Sequence, residues 1–393
     1  MGAVITGIAR TPLGKFGGGL ASLTAVDLGG EAIKGALQRS RLDAAMVDEV
    51  IFGQVLQAGA GQITSRQAAV RAGVPMTVPS TTVNKVCLSG MTAIAMADRS
   101  VRLGEASFVV AGGMESMSNA PYLSPATRWG ARMGDAQLVD VLMHDGLWCA
   151  FDNCAMGESS DAKNARLGIS REQQDEWAAE SHRRAVQAVD AGAFENEIVV
   201  VQVPQRKGDP VTVELDEGIR PDTTVESLRK LRPAFTADGT TTAANASQIS
   251  DGAAAVIVAD RAAAEAAGLP ILAEIVAYGQ VAGPDATLQE RPAEALAMAL
   301  KKAGMSPGDL DLVEINEAFA AVALWSAHML DLDHEQVNVN GGAVALGHPI
   351  GATGARLVVT LVNELRRRGG GIGGATLCGG GGQGDALIVR VEG

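Results

Sequence analysis

The chain has 393 residues, room for two or three domains of about 150 residues each and for a sizeable buried core. Hydrophobic residues make up 47% and charged residues 20%, and 48 glycines beside 14 prolines fit a compact fold rich in tight turns, which excludes a disordered or collagen-like chain. Lys plus Arg number 32 against 45 Asp plus Glu, a formal charge of −13 with only 3% aromatics, the wrong sign and too few stacking faces for a nucleic-acid surface.

Val4 to Ile8 reads as a strand directly after Met1, with no basic segment and apolar core of a leader, so a cytoplasmic protein is expected. No run of about 18 apolar residues predicts a membrane span. Residues 31 to 55 read as an amphipathic helix, a turn and a short buried strand. They recur without a gap at residues 294 to 318, a constant offset of 263, with Glu31/Glu294, Ala32/Ala295, Ala36/Ala299, Leu37/Leu300, Asp48/Asp311 and Val50/Val313 identical. Further on, Asn84 to Gly90 leads into a helix-like run and a strand, Phe108 to Ala111. The same offset brings Lys85 against His348, and Gly347 to Gly351 likewise leads into a second helix and a strand, Ala375 to Cys378. The pattern predicts an internally duplicated α/β protein.

Between the halves, residues 119 to 243 read as an inserted loop domain with a charged helix near Ser170 to Val189. Ile249 to Val258 then reads as a buried strand, approached by a turn and a short helix and returning to the first half's sheet. The expected boundaries are 1–118 for the first half, completed by about 244–271, then 119–243 for the loop domain and 272–393 for the second half.

Four places carry candidate chemistry. Cys87 sits at the expected start of a helix, where partial positive charge and free N–H groups lower a thiol pKa or hold an oxyanion, although a free cysteine is also an ordinary small core residue. His348 occupies the equivalent turn of the second half and can activate a thiol or polarise a carbonyl, or serve the turn structurally. The other histidines, His144, His182, His328 and His334, fall in segments that read as loop or exposed helix. Cys378 ends an apolar strand and precedes a glycine run whose N–H groups can approach a ligand; a phosphate cradle is the rival reading, without the Lys-Ser/Thr it needs. Asn316 ends the repeated strand of the second half and can fix a water or an oxyanion, or cap the next helix. The four cysteines lack the paired spacing of a zinc site or a secreted disulfide framework. All four segments fall at the carboxyl ends of expected strands, where open α/β sheets place ligands.

Asn84-Lys85-Val86-Cys87-Leu88-Ser89-Gly90, Asn316-Glu317-Ala318-Phe319-Ala320, Gly341 to Ala343 with Gly347 to Gly351, and Cys378 to Gly384 together resemble the thiolase signature, in order and spacing, over essentially the whole chain. The resemblance implies a duplicated, five-layered αβαβα fold with a loop domain inserted in the first half. It also implies that Cys87 takes an acyl group from an acyl-CoA thioester while His348 shares its proton, and that Cys378 removes a proton from the methyl group of a second acetyl-CoA. His348 with a water held by Asn316 would form one oxyanion hole, and the N–H groups of Cys87 and Gly380 the other. Coenzyme A is then a substrate, with no tightly bound cofactor and no metal. Met156 would wall the acyl group, and Arg220, Ser227, Phe235, Ala243, Ser247 and Phe319 would line the CoA path; a solvated surface charge is the other reading of Arg220.

Residues 154 to 157, Cys154-Ala155-Met156-Gly157, depart from the His-Met-Gly pattern of many biosynthetic thiolases at Ala155. The segment Ala120 to Asp135 resembles the tetramerisation loop of the short-chain biosynthetic branch. That branch condenses two acetyl-CoA to acetoacetyl-CoA as a homotetramer. The alternative is a degradative 3-ketoacyl-CoA thiolase of fatty-acid β-oxidation. A ketoacyl synthase would place a histidine at Asn316 and lack Cys378, and a non-catalytic lipid carrier would not need both cysteines.

Overall fold

The computed structural model describes residues 2–393. The first half runs β1 (Ala3–Arg10), α1 (Ala25–Ser40), β2 (Glu49–Gly53), α2 (Thr64–Arg71), β3 (Ser80–Val83), α3 (Ser89–Arg102) and β4 (Phe108–Ser116). The intervening segment carries α4 (Met156–Leu167) and α5 (Arg171–Asp190). The chain then adds β5 (Ser250–Asp260), β6 (Ala273–Ala282), α6 (Arg291–Ala303), β7 (Leu312–Ile315), α7 (Ala320–Met329), α8 (Thr353–Arg367), β8 (Gly371–Gly379) and β9 (Gln383–Val391).

The repeat seen in the sequence is a repeat of topology. In the first half the strands lie in the order β3-β2-β4-β5-β1, and in the second β7-β8-β9-β6. In both, the first pairing shared by the two halves is parallel and the next two antiparallel. The strands β2/β7 and β4/β8 begin 263 residues apart, the offset of the sequence repeat. The second half keeps only one residue of its outermost strand, a parallel bridge between Val313 and Val337. The two sheets touch through two residue pairs of β1 and β6, Val4 with Glu274 and Ile5 with Ala273.

Strand side chains alternate between two buried faces, which is why these strands read as continuous apolar runs. On β4 and β5, Val109, Ala111, Ala254, Val256 and Val258 face inward onto Met91 and Ile94 of α3 and Leu357, Val358 and Leu361 of α8. Val110, Ala255 and Ile257 face outward onto α1. In the second half Leu377, Leu387 and Val389 face the α3/α8 layer, while Val313, Ile315 and Ile388 face α6 and α7. The result is five layers, helix, sheet, helix, sheet, helix. The middle pair packs tightly because glycines let it. A Cβ at Gly90 would lie 2.8 Å from the backbone nitrogen of Ala355, and one at Gly354 2.5 Å from that of Met91.

Residues between β4 and β5 stay outside this stack. Their short strands pair only with each other, Tyr122–Leu123 with Val139–Asp140, Trp148–Cys149 with Cys154–Ala155, and Val201–Val203 with Val211–Val213. The expected charged helix is α5, started by a Ser170/Gln173 capping box. β5 returns between β1 and β4 as expected, but its approach is a turn at Ala243–Asn245 and not a helix. Thr242 there is engaged by Asn245, whose side chain accepts its N–H, so the backbone is closed locally without a helical turn. Among the described residues no helix is long and apolar enough to cross a membrane.

The inner helical layer makes a direct prediction. Leu361→Ala empties a fully buried site between both sheets and lowers unfolding free energy by about 3 kcal/mol in urea titration, whereas Leu103→Ala, at an exposed helix end, changes it by less than about 0.5 kcal/mol.

Candidate active site

The four segments converge where the two halves meet. Cys87 lies in the turn between β3 and α3, and that turn is wired locally. The Val86 N–H donates to Asn84 Oδ1 at 3.0 Å, the Lys85 N–H to Ser89 Oγ at 2.8 Å, and the Ser89 hydroxyl to the Val86 carbonyl at 2.6 Å. These bonds hold Val86 at φ 51°, a left-handed conformation that a β-branched residue adopts only under constraint. The strained turn presents Cys87, half-buried, to the apolar cluster of Val55, Leu56, Leu142 and Ile350.

His348 Nε2 stands 3.3 Å from Cys87 Sγ. The tautomer follows from its other neighbour. The Thr353 hydroxyl donates to the Pro349 carbonyl at 2.9 Å, so its oxygen accepts from His348 Nδ1–H at 2.6 Å and leaves the Nε2 lone pair facing the thiol. Burial, helped by the Arg356 guanidinium, lowers the imidazole pKa to about 3, so the ring is neutral. The loop reaches this position through Gly347, φ 118°, where a Cβ would lie 2.4 Å from Ser250 Oγ.

Cys378 is buried near the end of β8 among Leu288, Ala318, Phe319 and Val322. Burial, and then its neighbour Cys87, push its thiol well above the ordinary value. The chain then turns through Gly381 and Gly382, both at positive φ, and brings the Gly380 N–H to the Cys87 sulfur. The N–H groups of Cys87 and Gly380 both favour a thiolate there, but burial outweighs them and the Cys87 thiol is pushed up to about 12, with Glu115 adding to the rise. This corrects the expectation that the helix start lowers the Cys87 pKa. The low-dielectric wall costs the anion more than the N–H groups return, so the thiol rests protonated with the neutral His348 ring at hydrogen-bond distance.

Asn316, just past β7, is fully buried, and both polar atoms of its amide lack a protein partner. A buried amide left open in this way is suited to a water or a substrate oxygen.

The other expected site residues divide into two groups. Met156, Phe235, Ser247 and Phe319 gather near Cys378. Met156 packs at the edge of its cluster, the Phe235 and Phe319 rings meet edge to face at 6.4 Å, and the Ser247 N–H donates to the Ala318 carbonyl at 3.1 Å. Ala243, Arg220 and Ser227 lie exposed on the loop segment. The Ser227 hydroxyl closes a capping box with Thr224, which accounts for it locally, while Arg220 forms no ion pair among the described residues.

Three residues here were not singled out by the sequence reading. Thr353 orients His348. Glu115 accepts the N–H groups of Val55, Leu56 and Gly351 at 3.0 to 3.1 Å, and burial raises its carboxyl to about 7. Its signal was an acid ending an otherwise apolar strand. His182, expected in loop or exposed helix, is buried on α5, where its Nδ1 accepts the Arg220 N–H at 3.1 Å. Burial, then Arg220, lower its pKa to about 4.

Two thiols, a neutral imidazole, two converging N–H groups and an open amide among apolar side chains can form and resolve a covalent acyl-thiol intermediate. The family models described as Thiolase, N-terminal domain and Thiolase, C-terminal domain match residues 3–262 and 269–391. A probable acetyl-CoA acetyltransferase of Mycolicibacterium smegmatis is 54% identical over 382 residues, 97% of this chain and 98% of the relative. One of Mycobacterium tuberculosis is 52% identical over 99% of both chains, and an acetyl-CoA acetyltransferase of Pseudomonas aeruginosa 50% identical over 98% of both. Matched along both halves, and carrying the paired thiols that the duplication brings together, the chain belongs to the thiolase family.

Proposed function

We propose that the protein is an acetyl-CoA C-acetyltransferase, joining two acetyl-CoA into acetoacetyl-CoA and CoA and catalysing the reverse thiolysis through acetyl-Cys87. The observation that carries the reading is Cys87 at 3.3 Å from a neutral His348, next to a second thiol, the buried Cys378. The names of the full-length relatives support it.

The protonation states at rest fit the proposed steps. Cys87 passes its proton to His348 Nε2 and attacks the thioester carbonyl, and the developing oxyanion is held by the N–H groups of Cys87 and Gly380. Cys378 rests as a thiol, so it can give its proton to the departing CoA thiolate and become the base for the second half. The imidazolium that burial disfavours is then offset by the Cys378 thiolate. That thiolate takes a proton from the methyl group of the second acetyl-CoA. The enolate oxygen is met by His348 Nε2–H and a water on Asn316. Attack on acetyl-Cys87 breaks its C–S bond, and Cys87 recovers its proton from His348.

For coenzyme A we propose the path past Arg220, Ser227 and Ala243 to Ser247, Phe235, Phe319 and Met156. Arg220 supplies a local positive charge in a chain whose net charge of −13 repels the ligand. We also propose a homotetramer in the cytoplasm. Its support is the apolar loop between residues 120 and 148, where Tyr122, Trp129, Met133 and Leu138 are each more than 60% exposed.

Two expectations follow. Nitrogen-15 NMR of His348 shows a neutral, Nδ1-protonated ring from about pH 8 down to about pH 5, where an exposed histidine would have taken up a proton. In thiolysis assays acetoacetyl-CoA is turned over faster than longer 3-ketoacyl-CoA substrates, and Cys87→Ser and Cys378→Ser each lose at least about 100-fold in kcat. A preference for longer substrates would move the protein to the degradative branch.

A further inference from the structure

The two thiols come from different halves of the chain, so their spacing depends on contacts that cross between the halves. Leu88 lies against Gly379 and Val86 against Gly380, both non-directional apolar contacts. Besides the His348–Cys87 and Gly351–Glu115 contacts, an ion pair crosses beside them. Lys85, two residues before Cys87, reaches over 300 residues of sequence to Asp385, its Nζ 2.7 Å from Oδ1. The other oxygen of Asp385 accepts the Thr92 hydroxyl of α3 at 2.7 Å, and the carboxylate is fully buried. Tyr278 of β6 lies beside the carboxylate, which together with burial raises the phenol pKa, and Arg99 of α3 stacks over its ring at 5.4 Å.

Both ends of this contact attach to reacting groups. Lys85 donates its N–H to Ser89, whose hydroxyl holds the carbonyl of the strained Val86. Asp385 pairs with Leu377 across the β8/β9 ladder, one step from Cys378 opposite Gly384. A shift of Lys85 therefore moves Cys87, and a shift of Asp385 moves Cys378 and the Gly380 N–H. The Lys85 ammonium is turned to Asp385, which neutralises it, so its contribution to the site is through position.

We propose that Lys85 and Asp385, with Thr92, form a latch between the halves that sets the distance from Cys87 to Cys378 and the Gly380 N–H, making Lys85 and Asp385 positioning residues of the acyl-transfer site. The proposal rests on the acyltransferase reading above. Misplacement of reacting groups by about 1 Å costs about 100-fold in rate, so the effect falls on turnover and less on substrate binding.

The test is steady-state acetoacetyl-CoA thiolysis with wild type, Lys85→Met, Asp385→Asn, their double variant and Lys85→Arg, each first shown to be folded by circular dichroism. The expected result is a kcat loss of about 10-fold to 100-fold in each single variant, with KM for CoA changed less than about 3-fold. The double variant loses no more than the worse single, since one contact is removed only once. Lys85→Arg, which keeps the ion pair, recovers most of kcat. Rapid-quench acetylation of Cys87 slows in step with kcat in the single variants. A residue that only stabilises the fold would lower the melting temperature and leave kcat of the folded enzyme unchanged.

Breaking a buried pair can unfold a protein, so Thr92→Val, which keeps both charges, is the second arm. It is expected to lose about 3-fold to 10-fold in kcat. Active wild type with kcat within about 2-fold of it in Lys85→Met, or in Thr92→Val if Lys85→Met does not fold, overturns the latch. Inactive wild type overturns the acyltransferase reading instead.

Discussion

The constraint on which the rest of the structure depends is the apposition of two thiols, one half-buried and one buried, contributed by opposite halves of a duplicated chain. Each half is an open sheet that delivers its loops at strand ends, and neither alone holds a complete site. The first supplies Cys87 and its strained turn; the second supplies His348, Cys378, the Gly380 N–H and Asn316. The shared α3/α8 layer, with its close glycine contacts, fixes one half on the other and so decides whether the site exists.

Burial determines the chemistry as much as identity does. The same low-dielectric surroundings keep His348 neutral and both thiols protonated. At rest no group in the cleft is strongly nucleophilic, and reactivity appears only when protons move between neighbours. Cys87 has an imidazole at hydrogen-bond reach, and in the proposed reaction Cys378 becomes a base only after giving up its own proton. The two thiols differ in surroundings, Cys87 beside an imidazole and an apolar wall, Cys378 buried among Phe319 and its neighbours with Met156 at the edge, and the proposed roles follow from that difference.

Much of this was legible in the sequence because it is local or repeated. The identities Glu31/Glu294 and Asp48/Asp311 mark the same helix-turn-strand unit twice, and β2, β4, β7 and β8 fall where that repeat puts them. Cys87, Cys378 and Asn316 were visible because each sits where a strand gives way to a glycine-rich or helix-starting turn, whereas His348 follows the helical turn Ala343–Leu346 and not a strand as expected, the glycines around it being its signal. What was hidden depends on contacts between distant segments. The role of Thr353 appears only once the loop folds back on His348, and the burial of His182 only once α5 packs on the second half. The rise of the Cys87 pKa is hidden from the sequence for the same reason, since the helix start is local and the apolar wall is not.

The central claim is the division of labour between the two thiols. Wild-type protein mixed with acetyl-CoA, quenched in acid and mapped by peptide mass spectrometry, is predicted to carry one acetyl group on the peptide containing Cys87 and none on that containing Cys378. Acetyl on Cys378, or on Cys149 or Cys154 with Cys87 free, would contradict the account.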